Sequence, residues 1–153
     1  MGKKRGTKRI IVVCVICLAV AVLAITVTQK PSVAQYEDDF GFSLENTSVK
    51  TLDYYHHDDF RDSLTLYRVS VTGDVGGSIF DRNEMADGLS EDAEVLLGEA
   101  ADLTEGKGGF EDLSTIDPHS SRSMELEAVN NTDASLYIIY YGEGNDYLVI
   151  WNG

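Results

Sequence analysis

The densest group of side chains that could do chemistry lies in the sequence DYYHHDDFRD. His56, His57, Asp58 and Asp59 are consecutive, and imidazole and carboxylate groups are frequent ligands of zinc and other divalent ions. Neighbouring side chains on a strand point to opposite faces, so a single ion cannot receive both imidazoles unless the chain bends. A zinc site needs three or four convergent ligands, and the third histidine, His119, is distant in sequence. We therefore predict no metal site. If the domain does bind a metal ion, these four consecutive residues are the candidate ligands.

Sequence templates of catalysis and cofactor binding are missing. The chain has no Gly-x-Ser-x-Gly elbow, no glycine-rich phosphate loop followed by Lys-Ser/Thr, and no His-Glu-x-x-His pair. Carboxylate pairs are so frequent in this acidic chain that no single pair indicates a hydrolytic site. Cys14 and Cys17 lie inside an apolar run, which leaves residues 31–153 without thiol chemistry. The sequence therefore predicts a protein that is not an enzyme, with no catalytic residues and no cofactor.

Basic, apolar and acidic residues occupy separate parts of the chain. Five basic residues precede Ile10, an uncharged and mostly apolar run extends to Gln29, and all 26 acidic residues follow Lys30. The apolar run is close to the roughly 20 residues with which a helix crosses a bilayer. Basic residues before the first span place its N-terminus in the cytoplasm. We therefore expect a basic cytoplasmic tail at residues 1–9 and a transmembrane helix at residues 10–29, so the membrane itself is a partner.

A cleaved signal peptide is the alternative to this anchor. Ser32-Val33-Ala34 provides the small residues that a signal peptidase prefers, directly after Pro31. The apolar run is longer than the core of about 7–15 residues in a secretory signal, which favours retention in the membrane. Cleavage near Ala34 would instead produce a secreted acidic protein.

The chain beyond the apolar run is strongly acidic. Residues 31–153 contain all 26 acidic residues but only six of the twelve basic ones, which gives a net charge of −20 with neutral histidines. Such a charge repels the phosphates of nucleic acids and the surface of anionic lipids. We therefore expect no nucleic-acid partner, whereas an unknown protein or a cationic partner fits the charge.

Hydrophobic periodicity predicts an α+β domain at residues 40–153, preceded by a polar linker at residues 30–39. The domain is expected to contain an antiparallel sheet of four or five strands and one or two helices. A short strand is expected to start at Phe40, and the others at Val49–His57, Ser63–Thr72, Ser123–Val129, Leu136–Tyr141 and Tyr147–Trp151. Helices are expected in the segment IFDRNEMAD and at Glu91–Leu103, where Ser90 is a good N-cap.

Two hairpins follow from this pattern. In the first, DDFRD is the loop, His57 pairs with Ser63, and Val49 pairs with Val71. The last hairpin is apolar on both faces, as in strands that lie centrally in a sheet or meet a partner. We assign its side chains to two faces: Tyr137, Ile139, Tyr141, Val149 and Trp151 to one, and Ile138, Tyr140, Leu148 and Ile150 to the other.

The stretches DYYHHDDFRDSLTLYRVSV and SLYIIYYGEGNDYLVIWNG resemble a set of small extracytoplasmic proteins of unknown function from Gram-positive bacteria. Those proteins are single-pass or lipoprotein-like, with a basic start, one apolar segment and a domain of about this size. Their first hairpin often has a His-Gly-Gly-Phe-type loop, where this chain has His57-Asp58-Asp59-Phe60. The resemblance implies an anchored, extracytoplasmic domain and transfers no site residue.

These observations favour a membrane-tethered, extracytoplasmic binding or protein-interaction module without catalytic activity. One alternative is a metal-binding protein or metal-dependent hydrolase that uses His56 and His57. The other is the secreted acidic protein released by cleavage near Ala34.

Overall fold

An antiparallel sheet is the framework of the domain in the computed structural model, which describes residues 30–59, 63–130, 133–142 and 144–153. The predicted basic tail at 1–9 and the predicted transmembrane helix at 10–29 lie outside the described residues. Within the described ranges, no helix has the length and apolar character needed to span a membrane. Residues Pro31–Gly153 form one compact unit, so the unit begins within the segment that the sequence assigns to a linker.

The sheet has six strands in the order β1-β2-β6-β5-β4-β3, and every neighbouring pair is antiparallel. The α+β class and the antiparallel sheet predicted from the sequence are therefore confirmed. The additional strand, β3, pairs with β4. It has only two residues, which is too short for a periodic signal in the sequence. The strand bounds are β1 Thr47–Asp58, β2 Ser63–Gly73, β3 Ala86–Asp87, β4 Arg122–Glu127, β5 Ser135–Tyr140 and β6 Asp146–Asn152.

Two α-helices accompany the sheet. Helix α1 is the short Glu37–Phe40, which continues a 3-10 turn at Val33–Tyr36. Helix α2 is Glu91–Leu103, with the bounds predicted from its periodicity. The Ser90 hydroxyl accepts a hydrogen bond from the backbone N–H of Ala93 at 3.3 Å, as an N-cap does. A second 3-10 turn, Leu113–Thr115, lies in the connection that follows α2.

The strand expected to start at Phe40 is wrong, because this segment ends a helix. Gly41 has a φ of 67°, the left-handed conformation that terminates helices. The Glu37 carboxylate then accepts a hydrogen bond from the backbone N–H of Leu44 at 2.6 Å and holds the chain in the turn. The alternation of Phe40, Phe42 and Leu44 reflects packing of a turn against the sheet, not a strand.

The helix expected in IFDRNEMAD is also wrong, because turns occupy residues 79–85. The Asp81 carboxylate accepts hydrogen bonds from the backbone N–H groups of Gly77 at 3.1 Å and Asn83 at 3.0 Å. Such side-chain bonds compete with the helical pattern, which is why Asp and Asn favour turns. The apolar residues of the segment, Ile79, Phe80 and Met85, are buried by these turns instead.

The sheet is covered on both faces. The helix face packs against α2 and the connection after it, and the loop face packs against residues 33–44 and 75–85. The buried residues of the helix-face core are Leu64, Leu66, Ala93, Leu96, Leu97, Ala100, Phe110, Leu113, Ile116, Tyr137, Ile139, Leu148 and Ile150. Those of the loop-face core are Val33, Phe40, Tyr67, Val69, Val71, Ile79, Phe80, Met85, Leu136, Ile138, Tyr147 and Val149.

The two hairpins differ from the predicted pairings by one residue. In the first, Asp58 pairs with Ser63, and a bulge between Thr51 and Asp53 restores the predicted pairing of Val49 with Val71. In the last hairpin the faces were matched wrongly. Ile139 pairs with Leu148 and Ile138 with Val149, whereas the prediction placed Leu148 on the face of Ile138. A one-residue change of register exchanges the faces of a whole strand, and a glycine-rich turn does not specify it.

Candidate functional site

The histidines and aspartates singled out in the sequence lie at the end of β1 and are divided between the two faces. His56 pairs with Thr65, and its Nδ1 lies 2.9 Å from the Thr65 hydroxyl, on the loop-face side. His57 pairs with Leu64 on the helix-face side. Asp58 accepts a hydrogen bond from the Ser63 hydroxyl at 2.8 Å. Among the described residues, no three metal-binding side chains converge, so the candidate ligands are not brought together.

A polar cluster that the sequence did not reveal lies beside the helix-face core. The Arg68 guanidinium donates a hydrogen bond to the backbone carbonyl of Gly109 at 3.2 Å. It also forms an ion pair with Asp112, with 3.5 Å between the nearest nitrogen and oxygen atoms. Gly109 has a φ of 90°, and a Cβ there would collide with the Asp53 carboxylate. The contacts of Arg68 therefore hold the connection after α2 against the sheet. At Gly109 only glycine fits, because of its backbone conformation and the nearby carboxylate.

Three polar atoms of this cluster are buried without a hydrogen-bond partner among the described residues: Arg68 Nε, Asp112 Oδ1 and the Tyr141 hydroxyl. Burial raises the pKa of Tyr141, opposed by the Arg68 charge and reinforced by the Asp112 and Asp146 charges. Tyr141 is therefore neutral at physiological pH. These contacts support the connection structurally, and the cluster does not line any of the cavities described below.

The loop face carries a cluster of aromatic rings around Tyr36. Its ring stacks on the indole of Trp151, with 5.8 Å between centroids and 13° between planes. It meets Phe40 and Tyr67 edge-on, with centroids 6.1 and 6.0 Å away. The Tyr36 and Tyr67 hydroxyls lie 3.2 Å apart. Burial and this hydrogen bond raise the pKa of Tyr67, so its hydroxyl is uncharged at physiological pH.

Next to this cluster is a cavity of about 350 Å³, here called the Trp151 hollow. Its walls come from α1, from the connection between β4 and β5, and from the end of β6. The backbone N–H of Val129 donates a hydrogen bond to the carbonyl of Asp39 at 2.8 Å and joins two of these walls. The described residues that line it are Asp39, Phe40, Ala128, Asn130, Asp133, Ala134, Trp151 and Gly153.

The chemistry of the Trp151 hollow is apolar inside and acidic at its exposed edge. Phe40, Ala128 and Trp151 supply carbon surface, whereas Asp39 and Asp133 are exposed carboxylates. No basic residue is among those described as lining it. Val129 lies beside it and is 66% exposed, so it adds apolar surface next to the cavity. A cavity of this size and composition is typical of a binding site for a side chain or a small molecule.

Two further cavities are more polar. One, about 280 Å³, lies at the C-terminal end of α2, where Asp102, Glu105 and Glu111 surround it. The other, about 430 Å³, is an open depression between residues 32–37 and the start of β1. Neither has an aromatic ring as exposed and as firmly held as Trp151.

Sequence reasoning did not find the Trp151 hollow. It identified the hairpin that contains Trp151 as apolar on both faces, but it placed residues 30–39 outside the domain. It also expected a strand to start at Phe40, so the wall that the helix end makes with Asp39 and Phe40 was not predicted. Comparison with family models, curated proteins and solved structures finds no match for this chain.

Proposed function

We propose that this protein is a membrane-tethered, extracytoplasmic binding module that acts without catalysis and holds its ligand at the Trp151 hollow. The observation that carries the proposal is this apolar cavity, beside the exposed side chain of Val129, on a domain whose other apolar side chains are largely buried in two cores. Exposed apolar surface around a concave site is the usual mark of a surface that meets a partner.

The N-terminal segment supports the anchored form over the cleaved one. Val33 is fully buried in the loop-face core, and the Thr51 hydroxyl donates a hydrogen bond to the Pro31 carbonyl at 2.9 Å. Cleavage near Ala34 would remove both residues from the domain. A form that keeps residues 31–34 keeps the loop face covered, and the retained apolar run provides the tether.

Site-specific photo-crosslinking in intact cells tests the binding function. A benzophenone amino acid at Val129 places the probe beside the hollow, and the same probe at Val95 is the matched control. Both valines are exposed, 66% and 57%, but Val95 lies on α2, on the helix-face side. We expect a discrete adduct from position 129 and none from position 95. Ala134→Phe, which fills the hollow, should abolish the adduct. Equal adducts from both positions, or an adduct that Ala134→Phe leaves unchanged, would contradict the proposal.

Topology is tested separately. The full chain should stay in the membrane fraction, and protease added to spheroplasts should digest the acidic domain. Protection of the domain in intact spheroplasts would overturn the proposed orientation. A soluble form that starts at Gln35 would show that cleavage prevails over anchoring.

A further inference from the structure

We infer that the occupant of the Trp151 hollow is a basic side chain, arginine or lysine, presented by a partner polypeptide. The inference rests on the proposed binding function and adds the chemistry of the ligand. Three observations carry it: the way the aromatic wall is held, the charge at the edge, and the location of the domain's own cations.

The aromatic wall is pre-organised. Tyr36 stacks on the Trp151 indole. The backbone at Gly153 packs so closely against the six-membered ring that a Cβ there would lie 2.6 Å from Trp151 Cζ2. A ring held in this way loses little conformational freedom when a ligand arrives. Aromatic rings attract cations through their quadrupole, and the effect is largest for tryptophan.

The edge of the hollow has the charge that a cation requires. Asp39 and Asp133 are both exposed, and they belong to two different walls. The negative charge of both residues would attract a guanidinium or ammonium group to this edge, while its methylene stem contacts Phe40 and Trp151. An anionic ligand would meet the same two carboxylates and a domain of net charge −20.

Four of the six described basic residues are engaged elsewhere in the domain. Arg68 pairs with Asp112, and Arg122 pairs with Asp87 at 3.2 Å. The Arg82 guanidinium lies 4.4 Å from the centroid of the Tyr140 ring, and the Lys107 ammonium lies 4.0 Å from that of Tyr55. The last two contacts show that this domain already places cations over aromatic rings. At the Trp151 hollow the ring and the carboxylates are present, and the cation would come from the partner.

Fluorescence of the full chain in a non-ionic detergent tests this directly, because Trp151 is the only tryptophan. The probes are acetylated and amidated Leu-Arg-Leu, Leu-Gln-Leu and Leu-Glu-Leu, with butylguanidinium as a small cation without a peptide backbone. We expect a saturable change in Trp151 emission with Leu-Arg-Leu. Binding of Leu-Gln-Leu should be at least about tenfold weaker, and Leu-Glu-Leu should give no change.

The double variant Asp39→Asn/Asp133→Asn removes both edge charges from exposed positions. Each carboxylate close to a cation in a solvated site should contribute about fivefold to the affinity, so the variant should bind Leu-Arg-Leu about 25-fold more weakly. Glu94→Gln/Glu99→Gln removes the same charge from exposed positions on α2 and should leave the affinity unchanged. Equal weakening by both variants would mean a general charge effect and would overturn the inference.

The remaining outcomes separate the ligand class from the binding function. Equal binding of Leu-Gln-Leu and Leu-Arg-Leu would overturn the cationic class, while the crosslinking result from Val129 would still support binding at the hollow. Butylguanidinium binding as tightly as Leu-Arg-Leu would overturn the assignment to a polypeptide. No emission change with any probe overturns the inference, and a missing Val129 adduct would overturn the proposed function as well.

Discussion

The helix face and the loop face of the sheet bury comparable sets of apolar side chains but are covered in different ways. On the helix face, α2 presents Ala93, Leu96, Leu97 and Ala100 from one regular stripe. On the loop face the cover comes from separate segments, which contribute Val33 and Phe40 from one and Ile79, Phe80 and Met85 from another. A regular helix satisfies its own backbone, whereas turns need side-chain partners such as Asp81 and Glu37.

This difference explains where the candidate site lies. The helix face is covered by one regular helix, together with Phe110, Leu113 and Ile116 from the connection after it. The loop face is closed by short pieces that meet at edges, and the Trp151 hollow opens where α1, the β4–β5 connection and β6 meet. Binding sites commonly occur where loops meet on a rigid scaffold.

The largest expected effect comes from a charge placed in either core. Ile138 and Ile139 are adjacent, fully buried and on opposite faces. Ile138→Asp and Ile139→Asp should each unfold the whole domain, because a buried unpaired carboxylate costs as much as a domain's total stability. Circular dichroism and tryptophan emission report unfolding. If Ile138→Asp kept a native-like spectrum, the loop face would be a dispensable layer rather than half of a single cooperative unit.

A smaller loss of stability should follow from removing residues 31–34, which cover part of the loop face. A domain that starts at Gln35 lacks Val33 and Pro31, whereas one that starts at Pro31 keeps them. Burial of a side chain of this size contributes about 1.5–3 kcal/mol. Urea unfolding should therefore show the shorter domain to be less stable by about that amount. Equal stability would mean that Val33 does not seal the loop face, and it would remove the structural argument against cleavage near Ala34.

Two tyrosines with buried hydroxyl groups, one on each face, allow the hydrogen bonding of the two faces to be compared. On the loop face, the Tyr147 hydroxyl donates to the Phe80 carbonyl at 2.9 Å. On the helix face, the Tyr141 hydroxyl has no partner among the described residues. Tyr147→Phe leaves a buried carbonyl unsatisfied and should cost about 1–2 kcal/mol, whereas Tyr141→Phe should change stability by less than about 0.5 kcal/mol. Thermal unfolding measures both losses of stability. A larger loss for Tyr141→Phe than for Tyr147→Phe would contradict this explanation.

The smallest expected effect is a change in the stability of the domain at low pH. Hydrogen bonds from the backbone N–H groups of Gly77 and Asn83 lower the pKa of Asp81 below its ordinary value. Because the folded pKa is lowered, the contribution of Asp81 to stability is present above the unfolded pKa and is lost as the pH falls through the folded one. The melting temperature should therefore fall between about pH 5 and pH 2. Asp81→Asn should make that fall slightly shallower. An unchanged profile would mean that the charge of Asp81 does not hold the turns of the loop face.

Asp117 is the matched control for this measurement. Its pKa is lowered by hydrogen bonds from His119 and Ser120, but it lies in the connection that follows α2. Asp117→Asn should alter the acid profile to a similar small extent. A much larger effect at Asp81 would show that the loop face depends on its turns more than the helix face does.

Sequence periodicity predicted those parts of the fold in which one element repeats a pattern. Helix α2 has its predicted bounds because its stripe, its Ser90 cap and its acidic first turn agree. Five strands were located because each one also has a regular hydrophobic pattern. The pairing near the first loop was displaced because a four-residue link and a bulge replace the predicted five-residue loop. Periodicity describes each strand but not the register between strands.

The sequence by itself determined the separation of charge, the two-sided apolar character of β5 and β6, and the helix that covers one face. Each is a property of residues close together in the chain. Only the tertiary structure decided what covers the other face. It also brought Arg68 to Asp112 beside the helix-face core, and it placed Asp39, Asp133 and Trp151 around one cavity. Those contacts join residues far apart in sequence, and their energy is realised only after the sheet has formed. No local pattern of residues encodes them.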